Sequence, residues 1–95
     1  MSAPVRPTSI GAVSDFGFSV GHGLRYRVVV RRDLERGGYS AKLVSDGIGT
    51  IMEPNGSSPS DALTRLAREL SAGDSTDRAI AKEIVRHAGF PLKLT

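Results

Sequence analysis

The residues best suited to chemistry in this sequence are cations spaced two apart. Arg25, Arg27 and Arg31 alternate with Tyr26, Val28 and Val30, and Lys42 alternates with Ala41 and Leu43 a little further on. In extended chain, residues two apart share a face, so these four cations project together from one side of a sheet. A guanidinium presents a planar fork that matches carboxylate or phosphate oxygens. Such a row suits phosphates or an acidic protein surface. The same row would also arise simply to keep a solvent face soluble or to blunt an edge strand. A second set, Arg78, Lys82 and Arg86, recurs every four residues and forms one stripe of a helix. Asp74 lies four residues before Arg78 and Glu83 sits beside the stripe, which points to partial neutralisation on a solvated helix face.

No catalytic or metal-binding set emerges beside these cations. His22 stands between glycines, and His87 follows Glu83 by one helical turn, a surface pair near a helix C-terminus. A metal would need more ligands than this pair provides. The sequence has no cysteine, which excludes disulfides, thiolate metal sites and a cysteine nucleophile. Ser57, Ser58 and Ser60 are explained by helix capping, and no general base is assigned to activate one. Gly21-His22-Gly23 and Gly47-Ile48-Gly49 are turns, because neither stands between a strand and a helix N-terminus as a phosphate loop must. The reading is a protein that is not an enzyme and uses no cofactor.

Composition sets the frame. Ninety-five residues suffice for one core, and 39% hydrophobic with 24% charged residues is a globular balance. The aromatics are few, three Phe and two Tyr, so the core must rest on Val, Leu, Ile and Ala. Thirteen basic residues against ten acidic leave a net charge of +3, weak evidence by itself for a nucleic-acid partner. No apolar run approaches the ~20 residues of a membrane span. Met1 to Arg6 is not followed by an apolar stretch, so neither a membrane segment nor a secretory signal is expected and the cytoplasm is the default location.

The elements that must position the cations follow from periodicity. Residues 1–9, with Pro4 and Pro7, read as a flexible tail, and residues 10–95 as one α+β domain. Phe16 to Val20 has the alternation of a short strand, although whether residues 10–23 join the sheet is left open. Leu24 to Arg32 is the clearest strand. A polar loop ending in Gly37-Gly38 turns the chain back into Tyr39 to Ser45. Ile48 to Glu53 predicts a further strand, closed by the turn chemistry of Pro54-Asn55-Gly56. Ser58, Pro59 and Asp61 then cap and start a helix with Ala62, Leu63, Leu66, Ala67 and Leu70 inward. Gly73 ends it. Asp74 or Ser75 caps a second helix with Ile80, Ala81, Ile84, Val85 and Ala88 inward, stopped by Gly89 and Pro91. The predicted fold is therefore a small antiparallel sheet of three or four strands followed by two helices packed on one face, β-β-β-α-α.

Tyr26-x-Val28, Asp33, Gly37-Gly38-Tyr39-x-Ala41, Gly49, Gly56 and Asp61-Ala62-Leu63, in that order, resemble the N-terminal part of HicB-type antitoxins over about half the chain, residues 24–70. The resemblance implies a compact β-β-β-α unit that binds and occludes a small toxin ribonuclease, often as an oligomer. Family members commonly add a C-terminal helix-turn-helix or ribbon-helix-helix for DNA autoregulation, whereas one predicted helix follows Gly73 here. The usual Leu-Pro-Gly before the third strand is also missing. The element order is similar to that of a double-stranded RNA-binding domain as well. That family's helix begins with lysines, where this one begins Ser58-Pro59-Ser60-Asp61, and acid there repels phosphate. The expected function is a non-catalytic protein-interaction module. Nucleic-acid binding through Arg25, Arg27, Arg31 and Lys42, with Arg78, Lys82 and Arg86, is the alternative.

Overall fold

Alternating apolar and polar residues give this chain its sheet, and the capped apolar stripes give it two helices over one side. The computed structural model describes residues 12–21 and 23–88. The expected tail over residues 1–9, His22 of the first turn, and the Gly89 and Pro91 helix stop lie outside the described residues. The elements in chain order are β1 (Ala12–Val20), β2 (Leu24–Arg32), β3 (Tyr39–Ser45), β4 (Gly49–Met52), β5 (Asn55–Gly56), α1 (Pro59–Ser71) and α2 (Ser75–His87). The strands lie in the order β1-β2-β3-β4, with β5 also on β3, and every pairing is antiparallel.

Two strand readings are corrected. Phe16 to Val20 is the second half of a nine-residue strand, and Val20 pairs with Leu24 across the turn. Ile48 to Glu53 shortens to Gly49–Met52, and Asn55-Gly56, expected only as a turn, pairs again with Ser40 and Tyr39. Between these pieces Pro54 still accepts a hydrogen bond from the Ala41 amide at 3.0 Å, so residues 49–56 track β3 as one interrupted strand.

The core forms where the inner rows of the sheet meet the helices. Val28, Val30, Ala41 and Leu43 are fully buried beneath Ala62, Leu63, Leu66, Ala67 and Leu70 of α1 and Ile80, Ala81, Ile84 and Ala88 of α2. Val85 is a correction: expected inward, it is 42% exposed. The apolar stripe of α2 is wider than the surface available to cover it. Helix α1 starts as its sequence requires. Ser58 Oγ accepts from the Asp61 amide at 3.0 Å, and Asp61 accepts in return from the Ser57 amide at 2.9 Å. This second bond is the main reason the Asp61 carboxyl is held below its ordinary pKa. Asp74 caps α2 by accepting from the Asp77 amide at 2.9 Å.

Candidate functional site: the outer face of the sheet

With both helices on the inner side, no described element covers the opposite face of the sheet. Arg27 faces Val44, Val29 faces Lys42 and Arg31 faces Ser40 across the β2–β3 ladder. Lys42 therefore lies diagonally between Arg27 and Arg31, within reach of both positions. Arg25, Arg27 and Arg31 are exposed and Lys42 is half-buried, so the four cations predicted to share a face do share it. Val29 and Val44, both half-buried, form an apolar strip among them. The rings of Phe16, Phe18, Tyr26 and Tyr39 all belong to the inner side, packed against the core.

The cations are not equivalent. Asp15 on β1 faces Val29, diagonal to Arg27, and takes both prongs of its guanidinium, Nε to Oδ1 at 2.7 Å and Nη2 to Oδ2 at 2.6 Å. This hydrogen bonding holds the Asp15 carboxyl below its usual pKa and raises that of Arg27. Arg27 is thus engaged within the chain. Among the described residues, no carboxylate lies within ion-pair distance of Arg25, Arg31 or Lys42. Asp15 was missed because the strand expected from the sequence begins at Phe16, whereas β1 begins four residues earlier, at Ala12. Extending the hairpin back from Gly21-His22-Gly23 in period two places it there.

At one end of this face an open groove of about 570 Å³ runs between Arg31, Arg32, Ser40, Glu53 and the loop of residues 33–36. Ser40 lies in the outer row yet is only 2% exposed, and its hydroxyl donates to Glu53 Oε2 at 3.3 Å. The loop is organised by Asp33. Its Oδ1 accepts from the amides of Glu35 and Arg36 at 3.0 and 2.9 Å, and its Oδ2 accepts from Arg36 Nε at 2.7 Å. Asn55 joins Asp33 Oδ2 at 3.3 Å and donates to the Gly37 carbonyl at 2.7 Å. The bonds from the Arg36 amide, the Arg36 side chain and the Glu35 amide lower the Asp33 pKa to about 2.

The second basic set lies elsewhere. Arg78, Lys82 and Arg86 sit on the exposed side of α2, separated from the outer sheet face by the helix layer and the sheet. Arg78 donates to the Gly73 carbonyl at 2.9 Å, closing the end of α1, and Arg86 meets Glu83 at 3.3 Å. Lys82 is exposed beside Val85. Glu83 and His87 form the expected pair at 3.4 Å, but His87 also stacks on Phe16 and Phe18, with centroids 5.5 and 6.0 Å apart. The histidine thereby fastens the end of α2 to β1. Among the described residues, no group of three or more His, Cys, Asp or Glu is placed to hold a metal, and no helix is long and apolar enough to cross a membrane.

Comparison with known proteins finds no matching family model, no matching curated protein and no matching solved structure.

Proposed function

We propose that this chain is a non-catalytic interaction module that captures a partner protein on the outer face of its sheet, in the manner of HicB-type antitoxins. The observation that carries the reading is the open face, where Arg25, Arg31 and Lys42 surround the Val29/Val44 strip without carboxylate partners among the described residues. A mixed apolar and cationic surface fits a protein patch that is apolar at its centre and acidic at its rim. The type of partner, a small toxin ribonuclease that the chain sequesters, comes from the resemblance alone.

Nucleic-acid binding is the second reading, favoured by the same cations. It is weaker for two reasons. None of the described rings accompanies the cations to stack on bases. The α2 stripe faces away and cannot extend the footprint. Partner capture followed by biosensor separates the two. The Arg31→Glu/Lys42→Glu variant should associate about tenfold more slowly with a captured protein, because charge complementarity acts mainly on association. Undiminished binding removes this face from consideration. Tight binding of duplex or single-stranded probes that weakens steeply with salt would favour nucleic acid instead.

A further inference from the structure

The two edges of the sheet are built differently. The β4/β5 edge is short, shifted in register between Leu43 and Val44, and carries Glu53 and Pro54. Short strands, bulges, charge and proline are the devices that stop a free edge from pairing with another chain. At the opposite edge β1 is long, and along its last seven residues it has no proline and no shift in register. It is nine residues long, contains no proline or lysine, and none of the described strands pairs with its outer side. Its one ionisable side chain, Asp15, is already held by Arg27 of the same chain. A row of unpaired N–H and C=O groups on such a strand is a template for another strand.

We propose that β1 is the contact between two copies of this chain, paired antiparallel about a two-fold axis normal to the sheet. The occupant follows from charge and pattern. With Asp15 neutralised, β1 offers nothing to attract an acidic or a basic strand, and nothing to repel its own copy. Its inner row, Phe16, Phe18 and Val20, is only half-buried by its own helices. Antiparallel pairing in a register of matching faces sets this row against the same row of the second copy. A one-residue slip would turn the phenylalanines to the outer side, so the register moves only in steps of two. The contact is self-complementary, as a two-fold axis requires. It also places both helix layers on one side and both outer faces on the other, so Arg25, Arg31 and Lys42 of two copies lie on one continuous surface. Pairing at this edge does not depend on what the outer face binds.

The test is the mass of the full chain by light scattering on serial dilution. Twice the 10.1 kDa chain mass, falling to a single copy on dilution, is expected. Val13→Lys/Ser19→Lys changes two exposed outer-row positions of β1 and sets lysines of the two copies on adjacent strands. It should weaken the dimer by about tenfold or more while leaving the circular dichroism and thermal midpoint of the monomer in place. Hydrogen exchange should show β1 amides protected in the dimer and released on dilution. A monomer at every concentration overturns the proposal, whether its β1 amides exchange freely or are protected from within the chain. A dimer of unchanged affinity in the lysine variant overturns it equally.

Discussion

Asp33 shows how much a single carboxylate can organise. It accepts from two loop amides and from the side chains of Arg36 and Asn55, so it ties the β2–β3 loop to the residues that lead into α1. Its pKa falls from 3.8 to about 2 because the bonds from the Arg36 amide, the Arg36 side chain and the Glu35 amide favour the charged form. The folded chain therefore binds this proton less readily than the unfolded chain. The stabilisation from Asp33 is complete above about pH 4 and is lost as pH falls toward 2, with Asp15 and Asp61 shifted in the same direction. Urea denaturation at stepped pH checks this. The midpoint of the parent chain should fall through that window, and Asp33→Asn should be less stable at neutral pH with a shallower fall. The Ser58 cap makes a second residue-scale prediction. Ser58→Ala leaves the Asp61 amide without its acceptor and should cost about 1 kcal/mol, a drop of roughly 4–8 °C in the thermal midpoint for a domain of this size.

At the scale of elements, β5 and α1 approach so closely that their contact requires a glycine. A Cβ on Gly56 would sit 2.8 Å from the Ala62 Cα and closer still to its amide nitrogen, both of them backbone atoms. No side-chain rotation relieves that, so Gly56→Ala should destabilise by about 1–3 kcal/mol, measured by chemical denaturation, and Gly56→Val by more. Part of the fold was legible in the sequence and part was not, according to whether the deciding contacts are local. Strand alternation in β2 and β3 and the Ser58 cap of α1 are local signals and are legible, while the α2 cap, open in the sequence between Asp74 and Ser75, is Asp74. Burial of Ser40 and exposure of Val85 are decided by neighbours distant in sequence, Glu53 for the first and the limited cover over α2 for the second. The cationic face was legible because its spacing is local to β2 and β3. The clamp on Arg27 was not, because it depends on how far β1 extends.

On the scale of the whole molecule, the sheet and its helix layer divide the charge. Arg25, Arg31 and Lys42 look out from one side and Lys82 and Arg86 from the other, with the buried rows of Val28, Leu43, Leu66 and Ile84 between them. A partner of ordinary size that covers the outer face cannot also reach α2. Two causes of binding can then be told apart. If association depends on a shaped contact at the sheet, Arg31→Glu/Lys42→Glu should slow it by about tenfold, while Lys82→Glu/Arg86→Glu should change it by less than about twofold. If only the net charge of +3 matters, the two double variants alter it equally and should weaken binding equally. Stopped-flow or biosensor association rates for both variants, at low and at physiological salt, make the comparison. Equal losses that vanish together with added salt would mean that the outer face has no special role. A loss confined to the sheet variant, persisting in part at physiological salt, would tie recognition to the Val29/Val44 strip that the free cations enclose.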